Sequence, residues 1–197
     1  MRICFFGDSF INGTGDPTGL GWVGRACRDL WRPNIDATVY NLGVRRDTSA
    51  DILRRWQAET GRRLDDSDDN RLVFSFGVND CIIEPGGQRV LPVDTMSYSL
   101  AILSRAKTMG PVLFFGPPPV ASSSVNQRLE RLNWALEELC NSLSVPYFDS
   151  YSRLIEDSTW MGEVQFGDGA HPGEAGYARL AHFANEWDPW RSWWRWS

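Results

Sequence analysis

The sequence Ile3-Cys4-Phe5-Phe6-Gly7-Asp8-Ser9-Phe10 joins a short apolar run to a glycine and two polar residues. A brief run of this composition is typical of a buried β-strand, and the residues after it indicate a turn. The same pattern recurs in four more segments, at residues 38–42, 72–76, 112–115 and 146–148. The sequence therefore predicts five short, buried strands.

Segments with helical periodicity separate these strands. Five leucines recur at steps of three and four residues between Leu129 and Leu143, and helical patterns also cover residues 94–109 and 172–187. Another helix is predicted after Thr48, a residue suited to the N-cap. The alternation of strands and helices favours an α/β fold, with a parallel sheet between two layers of helices.

Length and composition limit the class of protein. A chain of 197 residues suits one domain, here residues 1–197 with a Trp-rich tail at about 187–197. A net charge of -5 gives no bulk reason to bind nucleic acid, and no apolar run approaches a membrane span of about 20 residues. The start of the chain shows no secretory signal, and its four cysteines lack metal-ligand spacing, which predicts a cytoplasmic protein with reduced thiols.

Polar residues follow several of the predicted strands, where parallel sheets place their ligands. Ser9 follows the first strand, Gly43 the second and Asn79 the third, while Asp168 and His171 precede the last helix. A serine nucleophile needs a base, a group that orients the base, and hydrogen-bond donors for the oxyanion. We interpret Ser9 as the nucleophile, His171 as its base and Asp168 as the orienting carboxylate. The backbone N–H groups of Ser9 and Gly43 and the Asn79 amide are the candidate oxyanion donors.

These residues lie in four short blocks that resemble the GDSL, or SGNH, family of serine hydrolases. The blocks are Gly7-Asp8-Ser9-Phe10, Asn41-Leu42-Gly43, Gly77-Val78-Asn79-Asp80 and Asp168-Gly169-Ala170-His171. Phe10 departs from the family name, which has Leu there. The resemblance implies a flavodoxin-like three-layer α/β/α sandwich with a five-stranded parallel sheet. It also implies an esterase or lipase that forms an acyl-enzyme on Ser9 without a cofactor or metal.

Other functions stay open. The enzyme could remove O-acetyl groups from carbohydrate, or transfer the acyl group to an acceptor other than water. A binding module without turnover is a further alternative, although the complete residue set argues against it. The acidic run at residues 65–69 is expected to be a solvated loop, and a metallohydrolase is less favoured because the chain has only two histidines.

Further candidate residues lie outside the four blocks. Arg45 and Arg46 could contact an anionic part of a small ester substrate, because guanidinium groups suit carboxylate and phosphate. Trp22 could form a wall of the pocket. The tail contains five tryptophans, at positions 187, 190, 193, 194 and 196. They could pack as late core, form an interface between copies of the chain, or contact lipid or a hydrophobic substrate.

Overall fold

A five-stranded parallel sheet forms the centre of the computed structural model, which describes residues 1–65 and 69–195. Its strands are β1 (Arg2–Gly7), β2 (Thr38–Gly43), β3 (Asn70–Ser75), β6 (Val112–Phe115) and β7 (Tyr147–Phe148). They lie in the order β2-β1-β3-β6-β7, and each neighbouring pair is parallel. A short antiparallel hairpin, β4 (Ile83–Glu84) and β5 (Gly87–Gln88), lies apart from this sheet. The predicted fold class is confirmed, with strand ends shifted by at most two residues.

Helices connect the strands. They are α1 (Ser9–Asn12), α2 (Gly21–Leu30), α3 (Ser49–Thr60), α4 (Pro92–Ala106), α5 (Ser123–Ser142), α6 (Ser150–Leu154), α7 (Ser158–Phe166), α8 (Glu174–Glu186) and α9 (Asp188–Ser192). Thr48 caps α3 as expected, because its side chain accepts from the N–H of Asp51 and the Asp51 carboxylate accepts from the N–H of Thr48.

Consecutive residues of β1 face opposite layers of the sandwich. Phe5 makes edge contacts with Trp22 of α2 and Trp190 of α9, whereas Phe6 packs against Trp56 of α3. Since side chains alternate along a strand, these contacts place helices on both faces of the sheet. Both phenylalanines are fully buried, so β1 lies in the core of the domain.

Trp22 belongs to this core, and the expectation that it walls the pocket is wrong. Its side chain is 1% exposed and lies against Phe5 and Phe115, with ring centroids 5.9 and 4.6 Å away. The glycine-rich segment before it leads into α2, whose apolar face turns the indole toward the sheet. Burying so large an apolar side chain in the core stabilises the fold more than a partly exposed position at the cleft would.

The described tryptophans of the tail pack on the chain's own core. Trp190 is fully buried, Trp194 lies beside it at 5.4 Å, and Trp187 contacts Phe115 and Phe148. This packing favours the late-core interpretation for the described tryptophans. Trp196 lies outside the described residues, and an assembly of identical chains stays a prediction.

Two negative findings concern the described residues alone. None of their helices is long and apolar enough to cross a membrane. Between residues 1–65 and 69–195 there is also no group of three His, Cys, Asp or Glu side chains placed to hold a metal ion. Positions 66–68 of the acidic run lie outside the described residues.

The order of the strands locates a crevice. The chain passes from β1 to β2 on one side and then to β3 on the other, so its direction of winding changes at β1. In open parallel sheets a ligand crevice forms beyond the carboxyl ends of the strands at such a point. Ser9 comes two residues after the end of β1, at this edge of the sheet.

Candidate active site

Ser9 is held at a sharp turn between a strand and a helix. Gly7 allows the end of β1 to lie close to β3 and α1, because an added Cβ there would overlap the backbone carbonyl of Ser75 and the side chain of Ile11. Asp8 caps α1, and its carboxylate accepts from the N–H of Phe10 over 2.9 Å. Ser9 is thus the first residue of a helix, where a backbone N–H has no acceptor within the helix.

The structure brings Ser9, His171 and Asp168 together. The Ser9 Oγ and His171 Nε2 atoms are 2.7 Å apart, and the His171 Nδ1 and Asp168 Oδ2 atoms are also 2.7 Å apart. The other oxygen of Asp168 accepts from the backbone N–H groups of Ala170 and His171, over 2.9 and 2.8 Å. One carboxylate therefore fixes both the loop and the imidazole that it carries.

These hydrogen bonds keep Asp168 ionised. Partial burial raises the pKa of its carboxyl, but the hydrogen bonds from the backbone and ring of His171 and from Ala170 outweigh burial and hold the pKa to about 2. Asp8 behaves in the opposite way, because its complete burial raises its pKa to about 7 despite the hydrogen bond from Phe10. The neighbouring charges of Asp80 and Asp47 add to that increase.

A second carboxylate anchors the segment that follows His171. Glu163 of α7 accepts from the backbone N–H groups of Gly173, Ala175 and Gly176, over 2.9, 3.2 and 2.6 Å. These donors are the otherwise unpaired N–H groups at the start of α8, and a carboxylate there also suits the helix dipole. The position of His171 is thus set from both sides, by Asp168 before it and by Glu163 after it.

Asn79 lies at the start of a 3-10 turn, Asn79–Cys81, that follows β3. Its Nδ2 donates to the backbone carbonyl of Asp47 over 2.9 Å and to Asp8 Oδ2 over a longer 3.3 Å. The next residue, Asp80, is fully buried and accepts from the side chains of Ser49 and Thr95. Burial raises the pKa of Asp80, and these hydrogen bonds oppose the increase. Asp80 therefore fixes the turn that carries Asn79.

The N–H of Gly43, a predicted oxyanion donor, already has an acceptor close by in the chain, and its role in the site stays a prediction. Its N–H donates to Asn41 Oδ1 over 3.1 Å, and Gly43 is not among the residues that line the cleft. A Cβ at this position would overlap the backbone of Asn12 and lie 2.8 Å from the carbonyl of Asp8. The glycine is therefore needed for close packing between β2 and the backbone of α1.

The cleft above Ser9 and His171 has a volume of about 520 Å³. Apolar side chains line part of it: Val78, Ile82, Val120 and Val125. Arg45 and Arg46 line it as well, which agrees with the expectation that both lie near the site. Arg46 forms an exposed ion pair with Glu84 at 3.2 Å, whereas Arg45 makes no hydrogen bond or ion pair with another described residue.

Two charged residues of the cleft were missed by sequence reasoning. Glu84 and Arg89 come from the β4–β5 hairpin and from the residue after it, and both reach the cleft. The sequence of this hairpin gives no chemical pattern that would have identified them. Their position becomes apparent only when the hairpin is placed beside Arg46 and Asn79.

Comparison with known proteins gives one family and several similar folds. Residues 5–179 match the model of the GDSL-like Lipase/Acylhydrolase family. No curated protein sequence matches the chain. A GDSL-family lipolytic protein from Veillonella parvula superposes with a TM-score of 0.78 at 22% identity, covering 94% of this chain and 97% of that one.

Two further solved structures are similar in fold. A lipase/acylhydrolase from Enterococcus faecalis has a TM-score of 0.74 at 22% identity, covering 94% of this chain and 93% of its own. An acetylxylan esterase from Geobacillus stearothermophilus has a TM-score of 0.78 at 16% identity, covering 92% and 91%. At these identities the similarity concerns the fold.

Proposed function

The chain belongs to the GDSL-like lipase/acylhydrolase family, and on this basis we propose that it hydrolyses carboxylic esters through an acyl intermediate on Ser9. The observation that carries the proposal is the continuous hydrogen-bonded series from Ser9 Oγ through the His171 ring to Asp168, with 2.7 Å at both steps. These distances lie within the reach required for proton transfer to a general base.

In the proposed reaction, His171 Nε2 takes the proton from Ser9 Oγ as this oxygen attacks the ester carbonyl carbon. The tetrahedral intermediate collapses, and the same proton passes to the leaving alcohol. A water molecule then gives a proton to His171 and attacks the acyl group, and the returned proton restores Ser9. Asp168 keeps Nδ1 protonated, so that Nε2 faces Ser9 as an acceptor.

The negative charge on the carbonyl oxygen needs donors that are fixed before the reaction. The N–H of Ser9, at the first position of α1, is one candidate. The amide of Asn79 is the other, because its hydrogen bond to Asp8 is long enough, at 3.3 Å, to be exchanged for one to the oxyanion. Loss of the Asn79 donor is expected to lower kcat by about 10²–10³.

The cleft suggests the class of ester. The apolar part of its lining is limited to a few small aliphatic side chains beside charged Arg46 and Glu84, which fits a short acyl chain better than a long one. Arg45 offers a cation that forms no ion pair with another described residue, and we propose that it favours esters carrying an anionic group. Relative rates on neutral and anionic esters should change in Arg45→Ala, and unchanged relative rates would remove this part of the proposal.

Removal of acetyl groups from carbohydrate is a second candidate for the same site. An acetyl group is small enough for the cleft, and one solved structure of the same fold is an acetylxylan esterase. Higher turnover on acetylated sugars than on aryl acetates would favour this candidate. Formation of a new ester when a second alcohol is supplied would favour acyl transfer.

The decisive experiment compares the wild-type protein with Ser9→Ala on p-nitrophenyl esters from acetyl to palmitoyl. We expect short-chain turnover that falls to background in the variant. A fluorophosphonate should add one mass equivalent to the wild-type protein on Ser9 and nothing to the variant. Equal turnover in both proteins would refute Ser9 as nucleophile, and no turnover or labelling in either would favour a binding module.

A further inference from the structure

Arg89 connects the two loops that face the candidate oxyanion position. Its Nη1 donates to Asn79 Oδ1 over 3.3 Å, and its Nη2 donates to the backbone carbonyl of Arg46 over 2.9 Å. The side chain is 17% exposed, and Glu84 lies 3.6 Å from its Nε. One guanidinium group thus contacts both the turn after β3 and the turn after β2.

The contact with Asn79 determines which way its amide faces. An amide presents an oxygen at one end and a nitrogen at the other, and a rotation by half a turn exchanges them. A guanidinium group can only donate hydrogen bonds. It therefore binds the oxygen end of the Asn79 amide and disfavours the nitrogen end, which also donates. The nitrogen end must then face Asp47, Asp8 and the cleft. With the amide reversed, a carbonyl oxygen would face the oxyanion and repel it.

The contact with Arg46 stabilises a backbone conformation that residues other than glycine rarely adopt. Arg46 has a φ of 73°, in the left-handed region, and it lines the cleft. Its N–H makes no hydrogen bond with another described residue. The carbonyls of residues 46 and 47 accept from Arg89 and Asn79 respectively, which closes a ring of hydrogen bonds around this turn.

We propose that Arg89 is a positioning residue, whose guanidinium group is held by the Arg46 carbonyl and orients the Asn79 amide so that its N–H faces the oxyanion. This inference rests on the proposed esterase function and names a group that acts on that site through Asn79. It predicts an effect on the chemical step rather than on binding of the ground state.

The test compares Arg89→Met with Arg71→Met, a matched control. Arg71 is also 17% exposed and also donates to a backbone carbonyl, that of Trp193, but it lies at the opposite end of the sheet. With p-nitrophenyl acetate we expect Arg89→Met to lose about 10² in kcat, with KM changed by less than about threefold. Arg71→Met should keep the wild-type kcat even if its melting temperature falls.

A double-mutant cycle separates this role from a general loss of structure. If Arg89 acts through Asn79, then Arg89→Met should cost less than about threefold in an Asn79→Ala background. Arg89→Lys retains the charge but cannot reach both acceptors, so it should lose at least about tenfold. The Lys variant carries the test if the Met variant does not fold.

The outcomes distinguish failure of the esterase function from failure of the role of Arg89. An inactive wild-type protein would refute the esterase function, not the role of Arg89. An active wild-type protein with unchanged kcat in both Arg89 variants would overturn the inference. Full additivity with Asn79→Ala would also overturn it, because Arg89 would then act independently of that amide.

Discussion

Replacement of Asp168 by Asn should impair the reaction more than complete removal of the side chain. In Asp168→Asn one amide oxygen can still accept from the N–H groups of Ala170 and His171, which keeps the loop in place. The amide nitrogen then occupies the Oδ2 position, 2.7 Å from His171 Nδ1 in the native structure. Because both atoms cannot donate, Nδ1 must lose its proton and Nε2 must carry one. An Nε2 that carries a proton cannot take another from Ser9.

The magnitude follows from this change of tautomer and from exposure. Fixing the wrong tautomer is expected to lower kcat by about 10⁴, or about 5.5 kcal/mol in transition-state free energy. In Asp168→Ala no donor faces Nδ1. The native side chain is 49% exposed, so water can enter and accept from the ring. We therefore expect a smaller loss for Ala, on the order of 10².

The assay is steady-state hydrolysis of p-nitrophenyl acetate at neutral pH, with melting curves for each variant. Asp188→Asn, at a position 79% exposed and remote from the cleft, should behave as wild type and serves as the control for the substitution itself. The reasoning is refuted if Asp168→Ala is as impaired as Asp168→Asn or more so. It is also refuted if both variants stay within about threefold of wild type.

Three other predictions concern stability. The free energy of unfolding of Asp8→Asn, relative to wild type, should rise by about 2–3 kcal/mol between pH 5 and pH 9. Burial raises the pKa of Asp8 in the folded state to about 7, so the protonated carboxyl stabilises the folded wild-type protein at low pH, and this contribution is lost as pH rises through 7. Denaturant titrations in which the stability difference between variant and wild type does not change with pH would contradict the prediction. Trp190→Ala should lose about 3–5 kcal/mol because a fully buried indole leaves a cavity, whereas exposed Trp134→Ala should lose less than about 0.5 kcal/mol in the same titrations. Glu163→Gln should lose about 1–2 kcal/mol, since one acceptor for the α8 N–H groups becomes a donor, and equal melting temperatures would show that these bonds contribute nothing.

The strands and the central residues could be predicted from sequence because local chemistry determines them. The apolar runs around Phe5 and Phe74 are short and end in glycine, which favours strands, and parallel strands bring their carboxyl ends to one edge. Ser9 and His171 follow from that placement. Where the outcome depended on packing, sequence reasoning failed. Trp22 follows a glycine-rich loop in sequence, but the apolar sheet face binds its indole.

Hydrogen bonds of the backbone were the other feature that the sequence could not predict. Gly43 has the conformational freedom of an oxyanion donor, yet its N–H is taken by Asn41 only two residues earlier. Arg89 carries no local signal, since its role comes from carbonyl and amide oxygens supplied by residues 46 and 79. Contacts between loops that are distant in sequence cannot be derived from periodicity or composition.

Ser9 and His171 are separated by 162 positions in the chain, although their side chains are in contact. During synthesis the proposed nucleophile therefore leaves the ribosome before its proposed base has been translated. A nascent or truncated chain that ends before His171 contains the serine but lacks the imidazole that contacts it. If the proposed reaction holds, ester turnover reports that synthesis has passed His171 and that the two distant segments have docked.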